Sequence, residues 1–353
     1  MSVPMISTQT FRLQDSEFDS ELRDIVAQSR TNIIVIGLGG AGCNTVNRLK
    51  EVGISGAKTV ALNTDAQSLY YTRADVKILA GRNSTKGRGA GGDPELGYQA
   101  AQENIEDLKS VMMGADLVFI TLGLGGGTGT GSAPLVAKIS KKMGAITIGV
   151  VTLPFRNEGI VRSKKAMEGL EKLQKEADNV IVISNDKLLN LAPDLPLKSA
   201  FKLTDEVLTL FLKSLTEMIL KPGLVNLDFA DVRSILQNEK LAMLGVGEAY
   251  GKDRVLHAIK SALENPLLDL EVKRAKKALI HITAGSEIKI DEIKDGISFV
   301  QSIVGEDAHI IWGLQVDEDL KDTVRVMIIL TGMDRKVEVH RELSEELGLV
   351  VYG

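Results

Sequence analysis

The chain has 353 residues, of which 44% are hydrophobic and 25% charged, the balance of a globular protein with room for two domains. Its net charge of −5 argues against nucleic-acid binding, because a phosphate backbone calls for a stripe of basic residues. The single cysteine excludes an intrachain disulfide and fits a reducing cytoplasm, and the four histidines are too widely spaced for a zinc site.

The first thirty residues precede any strong pattern and are interpreted as an N-terminal extension. Residues 15–29 predict a short polar helix, and the acidic residues of this segment leave no apolar core for a secretion signal. No run of about 18 apolar residues occurs in the chain. We therefore expect a cytoplasmic protein without direct membrane insertion.

Strand and helix signals alternate over residues 31–196. Apolar runs predict strands at residues 32–36, 58–62, 116–122, 145–153 and 179–184, with helices near 41–52 and 132–143. This alternation predicts a Rossmann-like α/β domain with a mostly parallel sheet and helices on both faces. Ligands of such sheets bind beyond the carboxyl ends of the strands.

A long helix signal runs over residues 197–220, between Pro196 and Pro222-Gly223, which can start and stop a helix. It is apolar on more than one side, so we expect a central helix within residues 197–222, buried between two domains. The residues expected to pack in the core are Leu197, Leu203, Val207, Leu208, Leu210, Phe211, Leu215 and Met218.

The remaining signals predict a second, smaller α/β domain with a mixed sheet over residues 223–335. Its strands are predicted at residues 242–247, 278–283, 308–313 and 324–331, and its helices near 251–264 and 291–304. Residues 336–353 form a short charged tail.

The first glycine-rich loop, residues 37–42, fits G-x-G-x-x-G between a strand and a helix. Asp65 lies 23 residues beyond Gly42, near the position of a ribose-binding acid in dinucleotide folds. On these residues alone an NAD-dependent dehydrogenase stays open as an alternative. The motif is weak, because any phosphate at a helix start favours the same glycines and free N–H groups.

Two further loops are rich in glycine. Six of the nine residues 123–131 are glycine, and each ordered glycine costs about 0.5–1 kcal/mol relative to alanine. We interpret this loop as backbone N–H groups wrapped around phosphate oxygens, with the Thr128 and Thr130 hydroxyls as added donors. In residues 87–94, Asp93 is a plausible helix cap and Pro94 a first-turn residue. Three such loops predict a polyphosphate ligand, and the P-loop motif is absent from the sequence.

Residues 125–131, Gly-Gly-Gly-Thr-Gly-Thr-Gly, are similar to the signature of the tubulin/FtsZ family. Residues 39–44, 63–67, 89–92, 153–155 and 226–232 also resemble loops of that family, in the expected order. The resemblance covers roughly residues 31–335 and looks strongest to archaeal FtsZ. It implies a tubulin-like GTPase of cell division, with residues 223–335 as its C-terminal GTPase-activating domain.

The resemblance also implies a site for GTP or GDP, with Mg²⁺ bridging phosphate oxygens. The residues implied to hold phosphates are Gly39, Gly40, Ala41, Gly42, Cys43, Asn44, Gly127, Thr128, Gly129 and Thr130. Ala90 and Gly91 are implied to approach the terminal phosphate, and Arg162 to lie near the phosphates. We interpret Cys43 as a small tolerated residue and not as a nucleophile.

At the nucleoside end the resemblance implies a ribose contact by Glu158, with Asp65 also in the site. Asn185 and Asp205 are implied to read the guanine and Phe201 to stack on it. Chemistry supports Asp205 independently, because a carboxylate can accept from guanine N1–H and N2–H, which adenine lacks.

Residues 226–231 bear on mechanism, since they contain Asn226, Asp228 and Asp231. Carboxylates repel a triphosphate, but they can orient or polarise an attacking water. The resemblance implies that these catalytic residues act on the GTP of a neighbouring subunit. The chain would then assemble head to tail into an open filament.

The partners implied are further copies of the chain and adaptor proteins at the mid-cell division site. A dehydrogenase would leave residues 125–131 and 226–231 without a role. A third alternative, a relative that binds GTP but only scaffolds, is disfavoured by the presence of Asp228 and Asp231.

Overall fold

The computed structural model describes residues 31–187, 196–220, 223–225, 227–240, 242–264, 275–305 and 307–332. The predicted helix at residues 15–29, the predicted tail at 336–353 and Asn226 lie outside these residues. The strands are β1 (Ile33–Leu38), β2 (Ala57–Asn63), β3 (Val76–Leu79), β4 (Leu117–Gly123), β5 (Ile146–Leu153), β6 (Asn179–Ser184), β7 (Ala242–Tyr250), β8 (Lys277–Ala284), β9 (His309–Val316) and β10 (Thr323–Thr331). The helices are α1 (Gly39–Glu51), α2 (Ala66–Tyr71), α3 (Pro94–Gln102), α4 (Ile105–Met112), α5 (Thr128–Lys142), α6 (Ile160–Glu176), α7 (Leu197–Leu220), α8 (Phe229–Leu236), α9 (Arg254–Glu264) and α10 (Ile290–Val304).

Within the described residues, the strands form one sheet in the order β3-β2-β1-β4-β5-β6-β7-β10-β8-β9. Every pairing from β3 to β7 is parallel, β10 is antiparallel to β7 and β8, and β9 is parallel to β8. The predicted α/β fold, with a mostly parallel sheet followed by a mixed one, is confirmed. The predicted domain boundaries stay a prediction.

The junction between the two parts of the sheet is narrow. Among the described residues, which do not include 241, β6 and β7 share one paired position, Ile181 with Ala242. Two backbone hydrogen bonds extend this seam, from Val180 N to Lys240 O at 3.2 Å and from Lys240 N to Asp178 O at 2.9 Å. We call this junction the seam.

Both faces of the sheet are covered, which explains why its strands are almost continuously apolar. In β1, Ile34 and Ile36 face a core cluster shared with α3 to α6, while Ile33 and Val35 face a cluster shared with α1, α7 and α8. The outer face of the C-terminal strands packs against α9 and α10. Successive strand residues therefore alternate between two cores.

The central helix α7 begins and ends where the sequence predicts. Its buried residues Leu208, Phe211 and Leu215 share one cluster with Phe119 of β4 and Leu279 of β8, so the helix packs on both parts of the sheet. Leu203 and Val207 are partly buried against the same cluster. The side chain of Leu197 lies outside the description.

The prediction that Leu210 belongs to the core is wrong. Its side chain is 41% exposed, because it lies at the rim of a small cavity between α7 and the C-terminal strands, beside Val246 and Thr283. A sequence stripe gives the side of a helix but not how closely the sheet approaches that side.

Candidate functional site

The strand order creates a crevice at the carboxyl edge of the sheet. In the order 3-2-1-4-5-6 the chain reverses direction between β1 and β4, and ligands of such sheets bind where it does so. The first two glycine loops follow β1 and β4, so they flank this switch point. The predicted nucleotide residues outside α7 all follow the carboxyl end of a strand.

The first loop contains glycines of two kinds. Gly39 is required by its backbone conformation, because its φ is +67°. Gly42 is required by packing, because a Cβ on it would overlap Thr121 O. Gly40 has neither constraint: its φ lies outside the left-handed region, and no atom lies within 4 Å of a Cβ built on it. Ala41 and Asn44 are exposed beside it. The backbone here is open to a ligand.

Cys43 turns its side chain away from this opening. It is buried, packs with Ala61 and Leu69, and its Sγ lies 3.8 Å from Leu62 O. Burial raises the pKa of the Cys43 thiol to about 12, so the thiolate is scarce at neutral pH. The interpretation that Cys43 is not a nucleophile agrees with this environment, and only its backbone can face a ligand.

The second loop is shorter than predicted, because α5 begins at Thr128 and not near residue 132. Residues 128–131 form the first turn of that helix. The free N–H groups of a first helical turn point away from the helix, here toward the crevice at the carboxyl edge of the sheet. Most of the glycines are required by packing: a Cβ on Gly127 would lie 2.8 Å from Asp93 N, and one on Gly131 would overlap Pro94 O. Of the six, Gly126 alone has open space around its Cβ position.

The two threonines of this segment already have protein partners. The hydroxyls of Thr128 and Thr64 lie 2.6 Å apart, and the Thr130 hydroxyl accepts from Gly125 N at 2.9 Å. Both side chains are buried. These hydroxyls hold the loop together, and the predicted donation to phosphate stays a prediction. Thr64 was not singled out from the sequence.

The third loop packs directly on the second. Asp93 accepts from Glu95 N at 2.9 Å and Pro94 opens α3, so the predicted cap is confirmed. Ala90 is buried against Gly127, while Gly91 is exposed with open space around its Cβ position. The three glycine loops therefore converge at one place.

Lys165 holds the third loop from the side and was missed by sequence reasoning. Its ammonium donates to Gly92 O at 2.6 Å, from helix α6. The same helix packs the backbone of Arg162 against Gly125 of the second loop. A lysine one helical turn beyond Arg162 was the available signal, but α6 itself was not predicted.

Phe155 and Glu158 follow β5 and are held in place by contacts with each other, with Arg162 and with Phe201. Glu158 accepts from Phe155 N at 2.8 Å and pairs with Arg162 at 3.1 Å. The Phe155 ring meets the Phe201 ring edge to face, with centroids 5.1 Å apart, and Phe201 remains exposed on its other side. Phe201 can therefore present a face to a planar base, as the sequence predicts.

Asn185 and Asp205 lie close together at the start of α7. The buried Asn185 accepts from Thr204 Oγ1 at 3.3 Å, so it contacts the residue that precedes Asp205 in α7. Burial, and next the charge of Glu206, raises the pKa of Asp205 to about 6. Its carboxylate has no hydrogen-bond or ion-pair partner among the described residues.

Asp65, near the phosphate loops, caps α2 by accepting from Ser68 N at 2.8 Å.

Asp228 and Asp231 form a capping box at the start of α8. Asp228 Oδ1 accepts from Asp231 N at 2.8 Å, and Asp231 Oδ2 accepts from Asp228 N at 3.0 Å. Each carboxylate keeps its second oxygen outside these bonds, and Asp228 is exposed. The pair is thus rigidly held and accessible at the helix N-terminus.

The helices on either side of these acids in the chain reach the edge of the sheet opposite the glycine loops. α7 rises about 1.5 Å per residue, so Leu220 is roughly 23 Å along the axis from Asp205. Leu220 contacts Gly56, just before the amino end of β2, and the far end of α8 contacts Asn179, the first residue of β6. The end of α7 and the C-terminal end of α8, the helix that bears the acids, therefore lie at the amino edge of the sheet, whereas the glycine loops lie at its carboxyl edge.

Comparison with known proteins identifies the family. The GTPase domain of the tubulin/FtsZ family matches residues 32–193, and the C-terminal domain of the FtsZ family matches residues 240–334. The chain is 50% identical over 338 residues to "Cell division protein FtsZ 1" of Pyrococcus abyssi, covering 96% of this chain and 91% of the relative. The protein of the same name from Methanocaldococcus jannaschii is 50% identical over 326 residues, covering 92% and 90%.

A solved structure gives the same result. The "FtsZ dimer, empty" of M. jannaschii superposes with a TM-score of 0.84 and 51% identity, over 90% of this chain and 92% of that one. Nothing in these similarities supports the dehydrogenase alternative. The chain belongs to the tubulin/FtsZ family and is a tubulin-like cell-division GTPase.

Proposed function

We propose that this GTPase hydrolyses its substrate at the junction between two copies in a head-to-tail filament. One copy supplies the glycine loops, and the next supplies Asp228 and Asp231. The observation that carries the proposal is that α8, which bears the acids, is attached at the amino edge of the sheet, whereas the glycine loops lie at its carboxyl edge. The FtsZ dimer of M. jannaschii, which this chain resembles, supports self-association.

The phosphates would lie over Gly40, Gly126 and Gly91. Gly40 and Gly126 need no glycine for their own conformation or packing, so close approach of a ligand is the remaining physical reason for them. Helices α1 and α5 begin here, and the free N–H groups of their first turns favour binding of a polyanion. The remaining predicted phosphate residues surround this opening.

The base would lie between Phe201 and the Asn185–Asp205 pair. The Asp205 carboxylate lacks a partner among the described residues, so guanine N1–H and N2–H would satisfy it. Glu158 and Arg162, already paired with each other, would lie toward the ribose and phosphates.

Mg²⁺ fits this arrangement as an ion held mainly by substrate oxygens. In the described parts of the chain no group of three or more His, Cys, Asp or Glu residues could hold a metal ion. Magnesium commonly binds through phosphates and waters with few protein ligands. It would supply charge neutralisation of the phosphates.

The unused oxygens of Asp228 and Asp231 would orient the attacking water. Asn226, which the resemblance assigns beside them, would assist. Among the described helices, none has the length and hydrophobicity that a bilayer crossing requires. We further propose a cytoplasmic filament at mid-cell, recruited there by adaptor proteins.

The test combines turnover with nucleotide binding. Asp228→Ala should retain GTP affinity and lose at least about 100-fold in turnover, the size expected for a group that acts on the attacking water. Asp228→Asn keeps a good helix cap and should lose turnover as well. Asp317→Ala removes another capping carboxylate, one that accepts from Asp319 N at 3.1 Å, and should leave turnover unchanged.

Dilution tests the shared site directly. The GTPase rate per subunit should fall as the protein is diluted, and electron microscopy with GTP and Mg²⁺ should show filaments. A rate per subunit that stays flat across a hundredfold dilution would rule out hydrolysis between copies.

A further inference from the structure

All the backbone carbonyls that a helix normally leaves open at its C-terminus are occupied in α8. The Arg233 carbonyl accepts from Gln237 N at 2.9 Å. The next three accept from side chains: Ser234 O from Lys277 Nζ at 2.7 Å, Ile235 O from Thr331 Oγ1 at 2.9 Å and Leu236 O from Asn179 Nδ2 at 3.3 Å. We call Asn179, Lys277 and Thr331 the α8 anchor.

The anchor residues come from three strands on both sides of the seam. Asn179 belongs to β6, whereas Lys277 and Thr331 face each other in β8 and β10. In the described part of the chain, β6 and β7 join the two parts of the sheet by the pair Ile181 with Ala242. α8 is therefore tied to both parts of the molecule at the place where they meet.

An eight-residue helix has little stability of its own, so its direction must come from its surroundings. Its apolar face, Val232, Ile235 and Leu236, is buried in the core beneath α7. Its N-terminal turn is hydrogen-bonded by its own capping box. The Lys277 ammonium, which also pairs with Glu239, complements the negative end of the helix dipole.

We propose that the α8 anchor positions Asp228 and Asp231 for hydrolysis of the neighbouring copy's GTP, an inference that rests on the function proposed above. α8 is about 12 Å long, so a tilt of about 5° at the anchor moves the acids by about 1 Å. A displacement of that size in a reacting group can cost up to about 100-fold in rate. The anchor residues do not touch the substrate and act through the acids.

The experiment compares three lysine variants in the full chain. Lys277→Met removes the ammonium but keeps the apolar stem, and Lys277→Arg retains a donor. Lys213→Met is the matched control, because Lys213 also donates to a backbone carbonyl, Val52 O at 3.0 Å, far from α8. The measurements are kcat, KM, GTP affinity by calorimetry, filament formation by electron microscopy and thermal unfolding.

We expect Lys277→Met to lower kcat about tenfold with GTP affinity and filaments unchanged, as for a misplaced catalytic group. Lys277→Arg should recover at least half of the wild-type kcat, and Lys213→Met should match wild type. Thr331→Val removes the second donor with little change in shape, so it serves if Lys277→Met fails to fold. Its kcat should fall in the same way.

Wild-type kcat in both Lys277→Met and Thr331→Val would overturn the inference. So would an equal loss in Lys213→Met, or a loss of kcat that only follows a loss of filaments. Asp228→Asn separates the two proposals. If that variant keeps full turnover, the proposed function fails; if it loses turnover while the anchor variants do not, only the positioning role fails.

Discussion

Asp205→Asn is expected to stabilise the nucleotide-free protein while weakening its hold on guanine. Burial and the neighbouring Glu206 raise the pKa of Asp205 from 3.8 to about 6, so the folded protein disfavours the charged carboxylate. Each tenfold change in proton affinity is worth about 1.4 kcal/mol, which gives an upper bound of roughly 3 kcal/mol at neutral pH. Because the carboxyl is partly exposed, we expect about 1–2 kcal/mol.

The sign of the effect depends on pH in a defined way. Below about pH 4 the carboxyl is protonated in both the folded and the unfolded chain, so the substitution should have little effect. The cost of burying the charge develops between pH 4 and pH 6 and is complete above it. Thermal unfolding without nucleotide should therefore show Asp205→Asn a few degrees more stable at pH 7 and equal to wild type near pH 4.

Nucleotide binding should change in the opposite direction. Wild-type GTP affinity should fall about tenfold per pH unit below pH 6, because guanine binding needs the ionised form of Asp205. Asp205→Asn should lack this pH dependence. An amide can donate to the C2 carbonyl of xanthine, so the variant should shift its preference toward xanthosine triphosphate by at least about tenfold.

Glu206→Gln provides the control. Glu206 pairs with Arg48 at 3.5 Å and with Lys202 at 3.6 Å, so its neutralisation should not stabilise the protein. An Asp205→Asn variant that is destabilised at pH 7 would refute the burial argument. A variant that binds GTP as tightly as wild type would refute the assignment of the base pocket.

Three further outcomes are expected. Gly126→Ala should unfold at the wild-type temperature but bind GTP and GDP at least about tenfold more weakly by calorimetry, whereas Gly131→Ala, whose Cβ would overlap Pro94 O, should lower Tm; equal nucleotide affinity in Gly126→Ala would contradict the phosphate site. Lys165→Met frees the Gly92 carbonyl and should weaken GTP about fivefold more than GDP, and an equal loss for both would contradict a role near the terminal phosphate. Cys43 should resist maleimide at pH 7 in the folded protein, and labelling within minutes would contradict its burial and raised pKa.

The sequence located strands and the central helix well, because those elements have strong apolar patterns. β6 and α7 begin and end at the predicted residues. α6 and α8 were not predicted, for different reasons. Eight of the 17 residues of α6 are charged, so its apolar period is faint. α8 is so short that its stability comes from burial and from end contacts that only the fold creates.

The glycine content of residues 123–131 is a less reliable guide to the phosphate site than the sequence argument assumed. The sequence argument treated six glycines in residues 123–131 as too many for a structural role. The structure gives five of them a packing or backbone reason, in part because α3 and α6 press against this segment. Only Gly126, with Gly40 in the first loop, keeps the original argument. Close packing between helices that are distant in sequence cannot be read from a loop's composition.

The site residues divide according to what defines them. Asp205 could be assigned from guanine chemistry as well as from resemblance, and its partial burial without a partner among the described residues agrees with that chemistry. Asp228 and Asp231 owe their assignment to resemblance, since their local pattern equally describes a helix cap. The structure shows that they are a cap. Capping uses one oxygen of each carboxylate, so it holds the acids in place and leaves the other oxygen for a water.

The length of α7 bears on whether the acids and the nucleotide residues can act within one molecule or need two. An aspartate side chain reaches only a few ångströms, whereas about 23 Å of α7 separates Asp205 from Leu220. No change of rotamer can close that gap, and bending α7 would break the core that Leu208, Phe211 and Leu215 form with strands on both sides of the seam. Under the proposed function, the acids would therefore act on a nucleotide held by another copy. The two contacting surfaces would then be different, so each end of an assembly would keep one unpaired surface, and the assembly would grow as an open filament instead of closing as a dimer.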